Sequence, residues 1–144
     1  MQYRLTEITP LNHDVTRLTL SPASGVVESF LPGQYLEIVL ADGKVRCAYS
    51  IACAPRVDGS LELHVRAMPH SDNYVLLSQH LNIGTLLEIT LPFGRVHLPA
   101  GVTSAGPLLL LAGSTGFSQA KAFIEQWLQQ GAAKPLLVYW GGRT

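Results

Sequence analysis

The chain has 144 residues, a formal net charge of +0, 47% hydrophobic residues and 14% charged ones. The length suits one domain or one and a half, with ample material for a hydrophobic core, because domains run to about 100–200 residues. Neutrality disfavours a nucleic-acid backbone or an anionic membrane as partner, and a charged fraction well below the roughly 25% usual for soluble domains suggests a partly covered surface.

The apolar runs PLLLLAG and PLLVYW fall short of the about 18 residues of a membrane span. The opening MQYRLTEITP is charged and has no apolar signal region, so a cytoplasmic location is expected. Cys47 and Cys53 lie six residues apart in one predicted strand. That spacing puts them roughly 20 Å apart, too far to bond to each other.

Residues 2–8 (QYRLTEI) and 14–20 (DVTRLTL) are β-rich and separated by a Pro-Leu-Asn-His turn. A loop closes on Pro32-Gly33, and 34–40 (QYLEIVL) forms the next strand. Asp42-Gly43 turns it into the strand that carries K-V-R-C-A-Y-S-I-A-C-A-P. Residues 61–67 (LELHVRA) alternate cleanly, with Leu61, Leu63, Val65 and Ala67 on one face and Glu62, His64 and Arg66 on the other. This predicts a half-exposed antiparallel strand. Residues 71–81 predict a short helix capped by Ser71 or Asp72, and TLLEITLPF and GRVHL return to strand. Six or so antiparallel strands with one helix imply a small barrel or sandwich.

Residues 99–106 (PAGVTSAG) are a linker without periodicity, and the pattern then changes. PLLLLAG is a continuous apolar strand, G-S-T-G a glycine turn, and F-S-Q-A-K-A-F-I-E-Q-W-L-Q-Q an amphipathic helix with a Lys121/Glu125 pair. PLLVYW is a second apolar strand, completing one β-α-β unit.

Five histidines show no metal-ligand spacing, and neither a nucleophile elbow nor a C-x-x-C pair is present, so no metal site is expected. Scattered basic residues speak against an RNA-binding barrel. Two features could carry chemistry. The G-S-T-G turn opens a helix, gathering backbone N–H groups where an anion could sit, although a tight βα turn explains it equally well. In R-C-A-Y-S, strand parity places Cys47, Tyr49, Ile51 and Cys53 on one face and Arg46, Ala48 and Ser50 on the other. The aromatic ring offers a stacking surface and the neighbouring hydroxyl a partner for a ring nitrogen; a packed tyrosine beside an incidental serine would look the same.

Taken together, L31-P-G-Q-Y-L, A48-Y-S-I-A, L111-A-G-S-T-G-F-S and V138-Y-W-G-G-R make the chain resemble the ferredoxin–NADP⁺ reductase superfamily. Within it, the chain is most similar to the NAD(P)H:flavin oxidoreductases. The resemblance spans essentially all residues and implies a mainly β fold. A six-stranded antiparallel Greek-key flavin-binding barrel with one short helix would occupy 1–98. The linker 99–106 would lead to an incomplete β-α-β nucleotide-binding unit at 107–144.

The resemblance further implies NAD(P)H and a flavin (riboflavin, FMN or FAD), with hydride transfer from nicotinamide to flavin N5. Tyr49 and Ser50 would serve the reacting ring. Arg46, Cys47, Ile51, Gly113, Ser114, Thr115, Gly116, Gly141 and Arg143 would join them in binding the cofactors. The alternatives are a flavin-binding or interaction module without dehydrogenase activity, or a related deoxysugar or ferric-siderophore reductase. Two cysteines cannot ligate an iron–sulfur cluster that needs four.

Two departures stand out. The superfamily strand motif is R-x-[YF]-S, and Cys47 occupies the arginine position; this bears on retention of phosphate-bearing flavin more than on riboflavin. The resemblance also implies further β-α units after Y-W-G-G-R, so the chain is expected to be C-terminally truncated. Two strands and one helix cannot cover both faces of a sheet. An exposed apolar face over 107–140 is expected, covered by another copy or a partner chain.

Overall fold

The computed structural model describes residues 1–131 and 133–142. Six strands, β1 (Gln2–Pro10), β2 (Val15–Pro22), β3 (Tyr35–Leu40), β4 (Val45–Ser50), β5 (Leu61–Arg66) and β6 (Leu86–Phe93), form one sheet in the order β4-β3-β6-β1-β2-β5. Every neighbouring pair is antiparallel. The two edges meet where the Ala52 N–H donates to the Glu62 carbonyl (2.8 Å), which closes the barrel.

Leu61, Leu63 and Val65 of the alternating 61–67 stretch face inward as predicted. Leu18, Leu20, Leu36, Ile38, Leu61, Leu63 and Ile89 are sealed in the core, and Leu77 of α1 (Asp72–Ser78) plugs one end. The β1–β2 turn is set by Asn12, whose side-chain oxygen accepts the N–H groups of Asp14 and Val15 (3.0 and 2.7 Å). The β3–β4 hairpin turns on Ala41 and Asp42, both with positive φ.

Three expectations need correction. GRVHL forms no strand: Gly94 takes φ +93 directly after Phe93, and residues 94–97 run exposed without a ladder partner. Cys53 lies beyond the strand that holds Cys47, because β4 ends at Ser50; both thiols are buried and free. The 99–106 segment contains a four-residue helix, α2 (Val102–Ala105).

Beyond it, β7 (Leu108–Gly113) and β8 (Leu136–Gly141) pair in parallel. A 3-10 turn (Ser114–Gly116) and α3 (Phe117–Gln129) connect them. Helix α3 docks on the barrel at Gly33, where φ is +100. A Cβ there would fall 2.4 Å from the Val96 carbonyl oxygen and 2.5 Å from the Phe123 ring, so only glycine allows the approach. The Gln119 side chain donates to the Gly33 carbonyl (2.6 Å).

The opposite face of the β7–β8 pair is open, with Leu109, Leu111, Leu137 and Tyr139 exposed. Strand β7 therefore alternates between half-buried and exposed residues instead of being enclosed throughout. No helix among the described residues is long and apolar enough to cross a membrane.

Candidate functional site

All of R-C-A-Y-S lines one cleft of about 390 Å³, facing α1 and the start of α3. Strand β4 pairs with β3 in unbroken register, so parity holds as predicted. Arg46 is exposed and pairs with Glu37 (3.0 Å) while also lining the cleft. The Cys47 thiol turns inward, 3.8 Å from the Asn73 carbonyl, and burial raises its pKa.

Tyr49 is half-buried against the core, and its phenol is pushed up to about 12 by burial, with smaller contributions from Cys47 and Tyr74. It therefore stays protonated through the working pH range, which suits a stacking ring and not a proton acceptor. Ser50 is the last residue of β4 and sits beside it on the cleft wall.

Ile51 does not join them. The chain leaves the sheet after Ser50, the Ile51 N–H donates to the Gln34 carbonyl (3.1 Å), and the side chain is fully enclosed in the core. Tertiary folding instead adds Ser71, Asn73 and Tyr74 from α1, and Ser118 from α3. Ser118 lies inside the G-S-T-G-F-S stretch and Ser71 is the α1 N-cap, so both had a local signal.

The G-S-T-G turn forms the far wall. Thr115 reaches the first cleft, while Ser114 and Thr115 both line a second one of about 400 Å³. That cleft also takes in the 11–15 turn, Phe117, Lys121, Trp140 and Gly142, and His64, Arg66 and Thr115 form a wall common to both. A Cβ built on Gly113, Gly116 or Gly141 would meet nothing within 4 Å, which leaves the backbone open to a ligand's approach. Gly113 and Gly141 pair at the end of the β7–β8 ladder. Arg143 lies outside the described residues.

The predicted polar face of β5 is more enclosed than expected: Glu62 is buried beneath Lys121 of α3, while His64 and Arg66 are half-buried on the cleft walls. Glu62, 5% exposed, receives Arg56 (2.9 Å), His64 (3.0 Å) and Lys121 (3.2 Å). Burial pushes the Glu62 carboxyl upward, but the His64 hydrogen bond and the Lys121 charge outweigh it and leave the pKa at about 2. Lys121 also donates to the Ala52 carbonyl (3.1 Å), and Glu125 accepts the Ala54 N–H (2.9 Å). The predicted Lys121/Glu125 pair exists (2.5 Å) but faces the barrel, fastening α3 to the strand edges. No cluster that could hold a metal occurs among the described residues.

A β-barrel with an aromatic, hydroxyl-lined cleft at its edge, abutting a β-α-β unit with a glycine turn, is the architecture of the ferredoxin–NADP⁺ reductase superfamily. Residues 2–98 match the oxidoreductase FAD-binding domain, and the chain belongs to that family. The chain is 34% identical over 149 residues to the NAD(P)H-flavin reductase of Vibrio harveyi, covering 99% of this chain and 60% of that one. It is 36% identical over 131 residues to the reductase component 1 of terephthalate 1,2-dioxygenase from a Comamonas species, covering 91% of this chain and 38% of the relative. Both relatives are thus considerably longer. The solved ferredoxin reductase of carbazole 1,9a-dioxygenase superposes with a TM-score of 0.87 at 26% identity, over 99% of this chain and 42% of that one.

Proposed function

We propose that the chain is the flavin-binding barrel (1–98), linker (99–106) and first nucleotide-binding unit (107–144) of an NAD(P)H:flavin oxidoreductase. The observation that carries this reading is the common wall of the two clefts. Two planar ligands that exchange a hydride must approach to about 3–3.5 Å, and Thr115 and Arg66 stand where the clefts adjoin.

The first cleft fits a flavin ring: it offers aromatic side chains, the hydroxyls of Ser50, Ser71, Thr115 and Ser118, and the guanidinium groups of Arg46 and Arg66. A bound flavin supplies the ring that accepts hydride at N5 from the nicotinamide. In this reading Tyr49 stacks on and orients the ring, and Ser50 offers a hydrogen bond to a ring nitrogen. Cys47 presents no positive charge to a phosphate arm, so the site favours a flavin that comes and goes as substrate. The open glycine turn and Gly142 border the second cleft, where a nicotinamide nucleotide is placed; the protein contributes orientation and exclusion of water.

A second reading, an electron-transfer reductase serving an oxygenase, is supported by the 36% identity to the Comamonas reductase component. Titration with riboflavin, FMN and FAD by fluorescence quenching, followed by anaerobic NADH, tests the proposal. Bleaching of free riboflavin supports a flavin reductase. Bleaching of tightly held FAD alone supports the oxygenase reading, and binding without bleaching leaves a flavin-binding module. Absence of flavin binding removes all three.

A further inference from the structure

Ser114 is one of three non-glycine residues with positive φ among those described; the other two make the β3–β4 hairpin. At φ +50 its Cβ crowds the backbone, a conformation that a glycine would adopt without strain. The serine hydroxyl must therefore hold the turn in a way a glycine could not. Its Oγ accepts a hydrogen bond from Arg66 Nη1 (2.8 Å), and its carbonyl oxygen accepts one from the Trp140 indole N–H (3.0 Å).

Arg66 is fixed in turn, because its Nε donates to Asp14 Oδ2 (2.7 Å). Asp14 is held by its backbone: the N–H donates to Asn12, and the carbonyl accepts the Ala67 N–H (2.6 Å). A continuous strap thus runs from the β1–β2 turn through the end of β5 to the glycine turn, along the wall between the two clefts.

We propose that Arg66 is a positioning residue that holds Ser114 in its left-handed conformation and so fixes Thr115 at the junction of the two clefts. The role toward a bound flavin rests on the functional reading above; the strap itself does not. The guanidinium is suited to this because one planar group forks to Asp14 and Ser114 together. A lysine keeps the charge but cannot make both contacts in that geometry. The wall would then be set before any ligand arrives, which is where small displacements matter most for transfer between two bound rings.

Nitrogen–proton correlation spectra of the 144-residue chain provide the test. They contain two indole N–H groups, that of Trp140 on Ser114 and that of Trp127 on the Lys134 carbonyl (3.2 Å). Arg66→Met and Ser114→Gly are each expected to move the Trp140 indole resonance and speed its solvent exchange by about 10-fold, the order of one lost hydrogen bond, with Trp127 unmoved. The double variant should match either single one. Arg66→Lys, the replacement least disruptive to folding, should produce the same displacement. A Trp140 indole unmoved in the Arg66 variants, or single effects that add in the double variant, overturns the strap.

Riboflavin added to the same samples gives the second readout. In the wild type it should shift the Tyr49 and Thr115 amides. In saturated Ser114→Gly the Tyr49 shift should persist and the Thr115 shift fall by half or more. Equal Thr115 shifts overturn the positioning role. A wild-type spectrum that riboflavin leaves unchanged overturns the flavin reading instead, and the indole data still decide the strap.

Discussion

The ammonium of Lys121, on α3, lies 3.2 Å from the carboxylate of Glu62, on β5. This contact joins the nucleotide-side helix to the barrel at the point where the barrel closes, since Lys121 also holds the Ala52 carbonyl. Lys121→Met should keep the aliphatic packing but leave Glu62 with Arg56 and His64 alone. The expected loss is about 1–3 kcal/mol, read as a lower midpoint in urea denaturation. An unchanged midpoint would show that the pair contributes nothing to docking.

The same carboxylate makes stability pH-dependent. Its pKa falls from 4.5 to about 2 on folding, so the folded state favours the ionised form. The contribution is fully present above the unfolded value and is lost as pH drops from about 4.5 through about 2; it amounts to at most about 3 kcal/mol. Glu62→Gln should flatten the fall in melting temperature over that window and change little near neutrality relative to its own baseline. Parallel pH profiles for the two proteins would refute this.

Cys47 stands at the arginine position of the superfamily motif, on the wall of the first cleft and beside Asn73. Cys47→Arg is expected to tighten FMN and FAD by about 10-fold, the worth of one charge-assisted contact to phosphate, and riboflavin much less. The gain should shrink with added salt. Equal tightening of all three flavins would rule out a phosphate partner.

Gly33 combines φ +100 with direct contact to Val96 and Phe123, so Gly33→Ala must both strain the backbone and push α3 away. A loss of at least about 2 kcal/mol is expected, with hydrogen exchange of α3 amides rising ahead of those in β1 and β2. Uniform destabilisation without early release of α3 would contradict the role of this seam.

The exposed side chains of Leu109, Leu111 and Tyr139 form an uncovered apolar face. The chain should bind a hydrophobic dye and self-associate as its concentration rises, and Leu111→Lys should reduce both. A monomer at all concentrations that binds no dye would refute this.

The architecture was legible because periodicity is local. Leu61, Leu63 and Val65 against Glu62, His64 and Arg66 marked a strand, and the change from alternation to continuous apolar runs marked the β-α-β unit. R-C-A-Y-S and G-S-T-G could be placed on a strand and a turn for the same reason. Alternation names two faces, however, and is silent on what covers each. Residues 94–98 show the limit, since a short strand-like stretch without a neighbour to pair with forms no strand.

Residues a few positions apart were enough to place the eight strands that form, the helix α3, the glycine turn and the inward and outward parity of β4. That Glu62 is buried against Lys121 of α3, that Ile51 turns into the core, and that Arg66 reaches Ser114 are outcomes of long-range packing. Those contacts join residues separated by tens of positions, and no local spacing encodes which of them will meet.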